Sequence, residues 1–213
     1  MKKIILSVAA VMAFGFANAQ DKDGAGLAKG DLVLTGAFNY QSETTGDAKV
    51  SGLTVLPGVG YMMSDKLMIV GSLGITTGTE STGVAGAEDA KVSGFGFDAG
   101  VRYFFTPADN FSISLGGQLG YGTRSTNVGL VEDEETGIEE EVILADDLKT
   151  TITSFTVPVG MHYFVSNNFA IQALWGGLGY SSSKPDVTGA EATNKINLGL
   201  DMSSISFGLL YKL

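Results

Sequence analysis

Cysteine is absent from all 213 residues, which excludes a disulfide framework, a thiolate-held metal and a lipid-bearing cysteine behind the N-terminal segment. Positive charge is scarce. Thirteen Lys and Arg stand against 23 Asp and Glu, for a net charge of −10, and so acidic a chain lacks the basic patch with which a nucleic-acid binder pairs phosphates. There is one histidine, His162. With no metal-spaced partner and no Gly-x-Ser-x-Gly element beside it, the chain offers neither a metal centre nor a hydrolytic triad. Beyond the first twenty residues no run reaches the roughly 18 apolar residues of a membrane-spanning helix. A β-barrel stays open, because its strands need only about 9 to 11 residues with alternate positions apolar.

What is present begins with "MKKIILSVAAVMAFGFANAQ": two lysines, an apolar run from Ile4 to Phe16, and the small-x-small triplet Ala17-Asn18-Ala19. These are the three parts of a secretory signal peptide, so residues 1–19 are expected to be removed. Loss of Lys2 and Lys3 leaves 11 basic against 23 acidic residues, a net charge of −12 for a mature chain from Gln20. Residues 20–30 are expected as a periplasmic N-terminal segment and 31–213 as the folded domain. Thirty glycines, about twice the usual share, show no collagen period.

The stretch "GFGFDAGVRYFF", 94 to 105, alternates with period two. Phe95, Phe97, Ala99, Val101, Tyr103 and Phe105 share one face, and Gly94, Gly96, Asp98, Gly100 and Arg102 the other. Only Phe104 breaks the pattern. The end of this stretch recurs as Gly58-Val-Gly-Tyr61, Gly100-Val-Arg-Tyr103, Gly160-Met-His-Tyr163 and Gly208-Leu-Leu-Tyr211. The first three run into short Ser/Asp/Asn turns followed by another alternating run, which is repeated hairpin structure.

Eight strands follow, over about 31–41, 51–63, 67–78, 92–105, 111–124, 151–164, 169–181 and 198–213. Their apolar faces include Leu67, Ile69, Leu73 and Ile75, then Phe155, Val157, Val159, Met161 and Tyr163. The seventh reads Phe169, Ile171, Ala173, Trp175 and then Leu178, Tyr180, a phase shift that one extra residue near Gly176-Gly177 explains as a β-bulge. Connections of three to five residues alternate with longer ones at 42–50, 79–91, 125–150 and 182–197. The fold class is therefore all-β: an eight-stranded antiparallel up-and-down transmembrane β-barrel with its aromatic face toward lipid. Tyr61, Tyr103, Tyr163 and Tyr211 fall at one level, the short-turn rim, as a periplasmic-side aromatic girdle.

These features together resemble the small outer-membrane β-barrel family typified by OmpX and the membrane domain of OmpA, in the porin-like branch of Gram-negative bacteria. The tail "SSISFGLLYKL" is similar to the C-terminal signal of that family, with Leu213 where Phe is usual, and no peptidoglycan-binding domain follows. The resemblance implies localisation in the cell outer membrane and contact with outer-membrane lipid and lipopolysaccharide. It also implies barrel-assembly machinery and periplasmic chaperones as biogenesis partners, a monomer, no cofactor and no enzymatic activity.

On the inward face, Asp98, Arg102, Gln118, Arg124, His162, Gln172 and Lys212 make up a polar cluster. Eight strands leave just enough room for side chains to fill the bore, so the cluster is expected to plug it, ion-paired and hydrogen-bonded. The carboxylates of "EDEE" at 132–135, "EEE" at 139–141 and "DD" at 146–147 read as a solvated acidic loop without calcium-loop spacing. The function expected is a structural or surface-interaction role through extracellular loops. Its rivals are a narrow channel for small solutes or ions, a soluble lipocalin-like carrier, and an enzyme using His162.

Overall fold

The computed structural model describes residues 26–81, 89–127, 148–199 and 205–213. The expected leader and the acidic stretches of 132–147 lie outside them. The strands are β1 (Leu32–Thr45), β2 (Ala48–Met62), β3 (Leu67–Ser81), β4 (Ala90–Ala108), β5 (Phe111–Asn127), β6 (Leu148–Phe164), β7 (Phe169–Pro185), β8 (Thr193–Leu198) and β9 (Ser206–Lys212).

Each strand from β1 to β7 pairs antiparallel with the next, and both β8 and β9 pair with β7. These last two are successive lengths of one final strand. Its lower part, β9, returns to β1 through Phe38↔Phe207 to Val33↔Lys212, which closes the ring. The result is the expected eight-stranded up-and-down barrel. Closure satisfies backbone groups that an open sheet would leave bare.

The strands run further than the sequence pattern marks. The 42–50 connection is in fact a two-residue turn, because β1 and β2 stay paired up to Thr45↔Ala48. Gly46 takes φ +62° at the first central position, the conformation that a Gly-first hairpin turn requires. The seventh connection shrinks likewise to 186–192, since β7 reaches Pro185 and β8 starts at Thr193. The sequence pattern runs one strand from 198 to 213, whereas the described residues give two lengths, Thr193–Leu198 and Ser206–Lys212. Above Phe38, β1 pairs only with β2 among the described residues.

Proline sets the local irregularities. Val157 faces Leu178 and Pro158 faces Gly176, leaving Gly177 as the extra residue of a bulge, where the expected phase shift falls. Pro158 has no N–H for the ladder, and a bulge is where a sheet tolerates that loss. Trp175, just before the bulge, keeps register with Val159 and is buried.

Elsewhere the alternation holds. Phe95, Phe97, Val101, Tyr103 and Phe105 are all exposed at 41% or more, a contiguous apolar outer surface that only lipid or a partner would cover. Phe97 and Tyr121 pack ring to ring across β4 and β5, with centroids 5.7 Å apart. Inside, near the short turns, Val33, Met62, Met68, Val70, Phe104, Phe164, Ala170 and Leu210 form a buried core. This apolar core shares the turn-end half of the bore with buried Arg102, Ser112, Ser114, His162, Gln172 and Lys212. Phe104, the misfit of the opening pattern, is one of its members.

The four glycines of the repeated G-x-x-Y unit have a common cause. Each lies three residues before its tyrosine and therefore on the opposite, inward face. A Cβ there would strike Gly71 O at Gly58, Gly117 O at Gly100 and Gly36 O at Gly208, all carbonyls of the adjoining strand; at Gly160 it would strike the Ser114 hydroxyl and Leu174. A narrow, strongly curved barrel brings neighbouring backbones this close, and only glycine fits.

Candidate functional site: the barrel lumen

The residues of the inward polar cluster do not meet at one point. They occupy successive levels along the bore, because each sits at a different height on its strand. At the turn end Lys212 is buried, and its Nζ donates to Gly26 O at 3.0 Å. The segment Gly26–Asp31 lies against this end. Leu27 packs on the apolar core, Gly30 N–H donates to Met62 O at 2.8 Å, and Asp31 is buried with its carboxylate accepting from Ala28 N–H at 2.7 Å.

One level further in, His162 is fully buried. Its Nε2 shares a hydrogen with Ser114 Oγ at 2.9 Å, and its ring tilts against Phe104 at 5.1 Å. The Ser-His contact has the distance of a nucleophile and base. Both groups are closed off from solvent, however, and among the described residues His162 Nδ1 has no partner to orient it. Gln172, on the neighbouring strand, donates from Nε2 to Leu209 O at 3.2 Å and to Gly36 O at 3.4 Å. Arg102 is buried with Nε and Nη1 unpartnered. Gln118 Nε2 donates to Ser72 Oγ at 3.5 Å, a long contact.

Asp98 and Arg102, four apart on the inner face of β4, form no salt bridge among the described residues. Arg124 stands apart from the others: it is exposed near the loop end and pairs with Glu80 of β3. This bridge arches over the inner face of β4, where Val92 is buried.

The loop-end half of the bore is hollow. One cavity of about 300 Å³ is bounded by Gly94, Gly96, Gly120, Gly122, Asp98 and Ser154, with Arg124 at its mouth. A second, of about 750 Å³, lies against β6, β7 and β8, with Thr156, Ser181, Lys195 and Asn197 on its wall. Ser154 borders both. Among the described residues no group of three or more His, Cys, Asp or Glu side chains is placed to hold a metal ion.

The girdle tyrosines sit on the outer face with apolar cross-strand neighbours: Tyr61 beside Leu32 and Ile69, Tyr103 beside Leu67 and Leu115, Tyr163 beside Phe111 and Ile171, and Tyr211 beside Leu34 and Phe169. Pattern reasoning passed over Asp31, Ser112 and Ser114, all buried. The two serines were legible from their even-numbered, inward phase on β5. Asp31 precedes its strand and carries no such signal.

The family model described as "Outer membrane protein beta-barrel domain" matches residues 6–212. The chain belongs to that family. It is thus a small barrel of the OmpX and OmpA type, its exposed apolar face belongs to the outer membrane, and a soluble carrier is set aside. Among solved structures it is similar to the outer membrane protein OprG from Pseudomonas aeruginosa, at 14% identity and TM-score 0.46, covering 90% of this chain and 99% of that one. It is similar too to Neisserial surface protein A, at 17% identity and TM-score 0.44, covering 88% and 99%. Ail, the attachment invasion locus protein of Yersinia pestis, matches at 12% identity and TM-score 0.41, covering 87% and 99%. No curated protein matches the chain.

Proposed function

We propose that this barrel is a non-enzymatic surface protein whose loop-end segments meet partners outside the cell, while the turn end blocks passage. The observation that carries this reading is the filled lower bore: Met62, Met68, Phe104, Phe164 and Leu210 are each no more than 2% exposed. Gly26–Asp31 is laid across the same end. A channel needs a continuous water-lined path, and close-packed apolar side chains at this density exclude water. The burial of Ser114 and His162 argues against catalysis, because a reacting group must reach substrate.

The same proposal includes cleavage after Ala19, a periplasmic segment from Gln20 to Gly30, and insertion as a monomer by the barrel-assembly machinery after escort by periplasmic chaperones. Contact with lipopolysaccharide belongs to it as well. Conductance in planar bilayers tests the blocked bore. The purified barrel should add no stepwise current, and steady unitary steps from the unmodified protein would overturn the reading in favour of a narrow channel.

A further inference from the structure

We propose that the smaller loop-end cavity is a binding site for the primary ammonium group of a compact polar molecule, held by Asp98. Among the described residues the Asp98 carboxylate makes neither a hydrogen bond nor an ion pair, although it is half-buried. An unpaired carboxylate in a confined bore calls for a cation. Arg124 is already committed to Glu80, and neither Arg102 nor Lys195 forms a salt bridge with Asp98.

The surrounding chemistry selects the kind of cation. A Cβ on Gly120 would lie 2.5 Å or less from both Asp98 Oδ1 and Ser154 Oγ, so the two oxygens are within about 5 Å of each other. Carboxylate and hydroxyl thus converge over a bare glycine. That arrangement suits an –NH₃⁺ group, which presents three N–H donors to separate acceptors. A calcium ion would want six to eight oxygens with several carboxylates, and among the described residues Asp98 is the only carboxylate on this cavity's wall.

Glycine makes the room. At Gly96 and Gly122 a Cβ would come within about 3 Å of Tyr121 O and Phe95 O, so backbone crowding favours glycine there and leaves those two positions of the wall bare. The cavity volume of about 300 Å³ leaves room for a small amine with a few polar substituents. The acidic balance of the chain draws cations toward such a mouth.

The test is amide NMR on the folded barrel in nanodiscs at neutral pH, titrated with ethanolammonium. The proposal expects saturable shifts at Gly96, Gly120 and Gly122. Tetramethylammonium, which has the charge but no N–H, should bind at least about tenfold more weakly, a difference of about 1.4 kcal/mol. Asp98→Asn should abolish the response, and Ser154→Ala should weaken it. Heat-modifiable mobility verifies that each variant folds, and the tetramethylammonium comparison on the unmodified barrel needs no variant. Absence of saturation, an undiminished response in Asp98→Asn, or equal binding of tetramethylammonium, sodium or calcium would overturn the proposal.

Discussion

Phe97 and Gly100 stand three residues apart on β4 and face opposite surroundings, one lipid and the other the backbone of β5. Substitution should separate the two. Arg at Phe97 or Val101 places a charge in hydrocarbon and should cost roughly 2 to 4 kcal/mol in reversible unfolding from bilayers. Gly100→Ala and Gly208→Ala insert a methyl group against a carbonyl and should cost about 1 to 3 kcal/mol by overpacking. Gly36→Ala is the control, because a Cβ there meets nothing within 4 Å. If Gly36→Ala destabilises as much as Gly208→Ala, the explanation of the G-x-x-Y glycines by close backbone approach is wrong. Gly96→Ser, which a roomy polar bore would accept, should also destabilise, because its Cβ would press on the Tyr121 carbonyl at 3.0 Å.

At the level of strands and turns, the pattern was legible where the two faces meet different surroundings. From Phe95 to Phe105 one face meets lipid and the other the bore, so composition alternates. Above the membrane both faces meet water, and that contrast disappears. Gln41–Thr45 and Ala48–Ser51 are mostly polar on both faces, which is why they read as a loop although they are a paired hairpin. The interrupted final strand was hidden for a related reason: "TNKINL" carries no unbroken apolar alternation. The levels of the bore were hidden because spacing along one strand fixes a face but not the height of a residue relative to other strands, which register decides. Hence Arg124, which borders a cavity with Asp98, was also grouped with residues at lower levels of the bore. Two element-scale predictions follow from geometry. Gly46→Ala should cost about 1 kcal/mol, since φ +62° is unfavourable for a residue with a Cβ. Lys212→Met removes the charged donor to Gly26 O, a bond of about 1.5 to 3 kcal/mol, and trypsin should then cut after Lys29 at least about tenfold faster while the barrel stays folded.

For the whole molecule, a closed ring with lipid outside and a packed lower bore should resist SDS until boiled, because no edge is left for the detergent to open. Unboiled and boiled samples should therefore migrate differently on a gel, and a single unchanged band would count against the closed ring. N-terminal sequencing of the exported protein should begin at Gln20. A start at Met1 would remove the proposed signal peptide and leave the barrel intact.

The ring is joined unevenly, and pulling would reveal it. Most neighbouring strands hold each other along nearly their whole length, as β3 and β4 do from Leu67↔Tyr103 to Glu80↔Ala90. Among the described residues the join between the first and last strands runs only from Val33↔Lys212 to Phe38↔Phe207. Under mechanical load applied at Leu213, the chain behaves as a zipper whose last teeth are the fewest. Force spectroscopy should record a low first rupture as β9 peels away, then higher forces as full-length hairpins leave in pairs. A barrel closed in this way is weakest along one line.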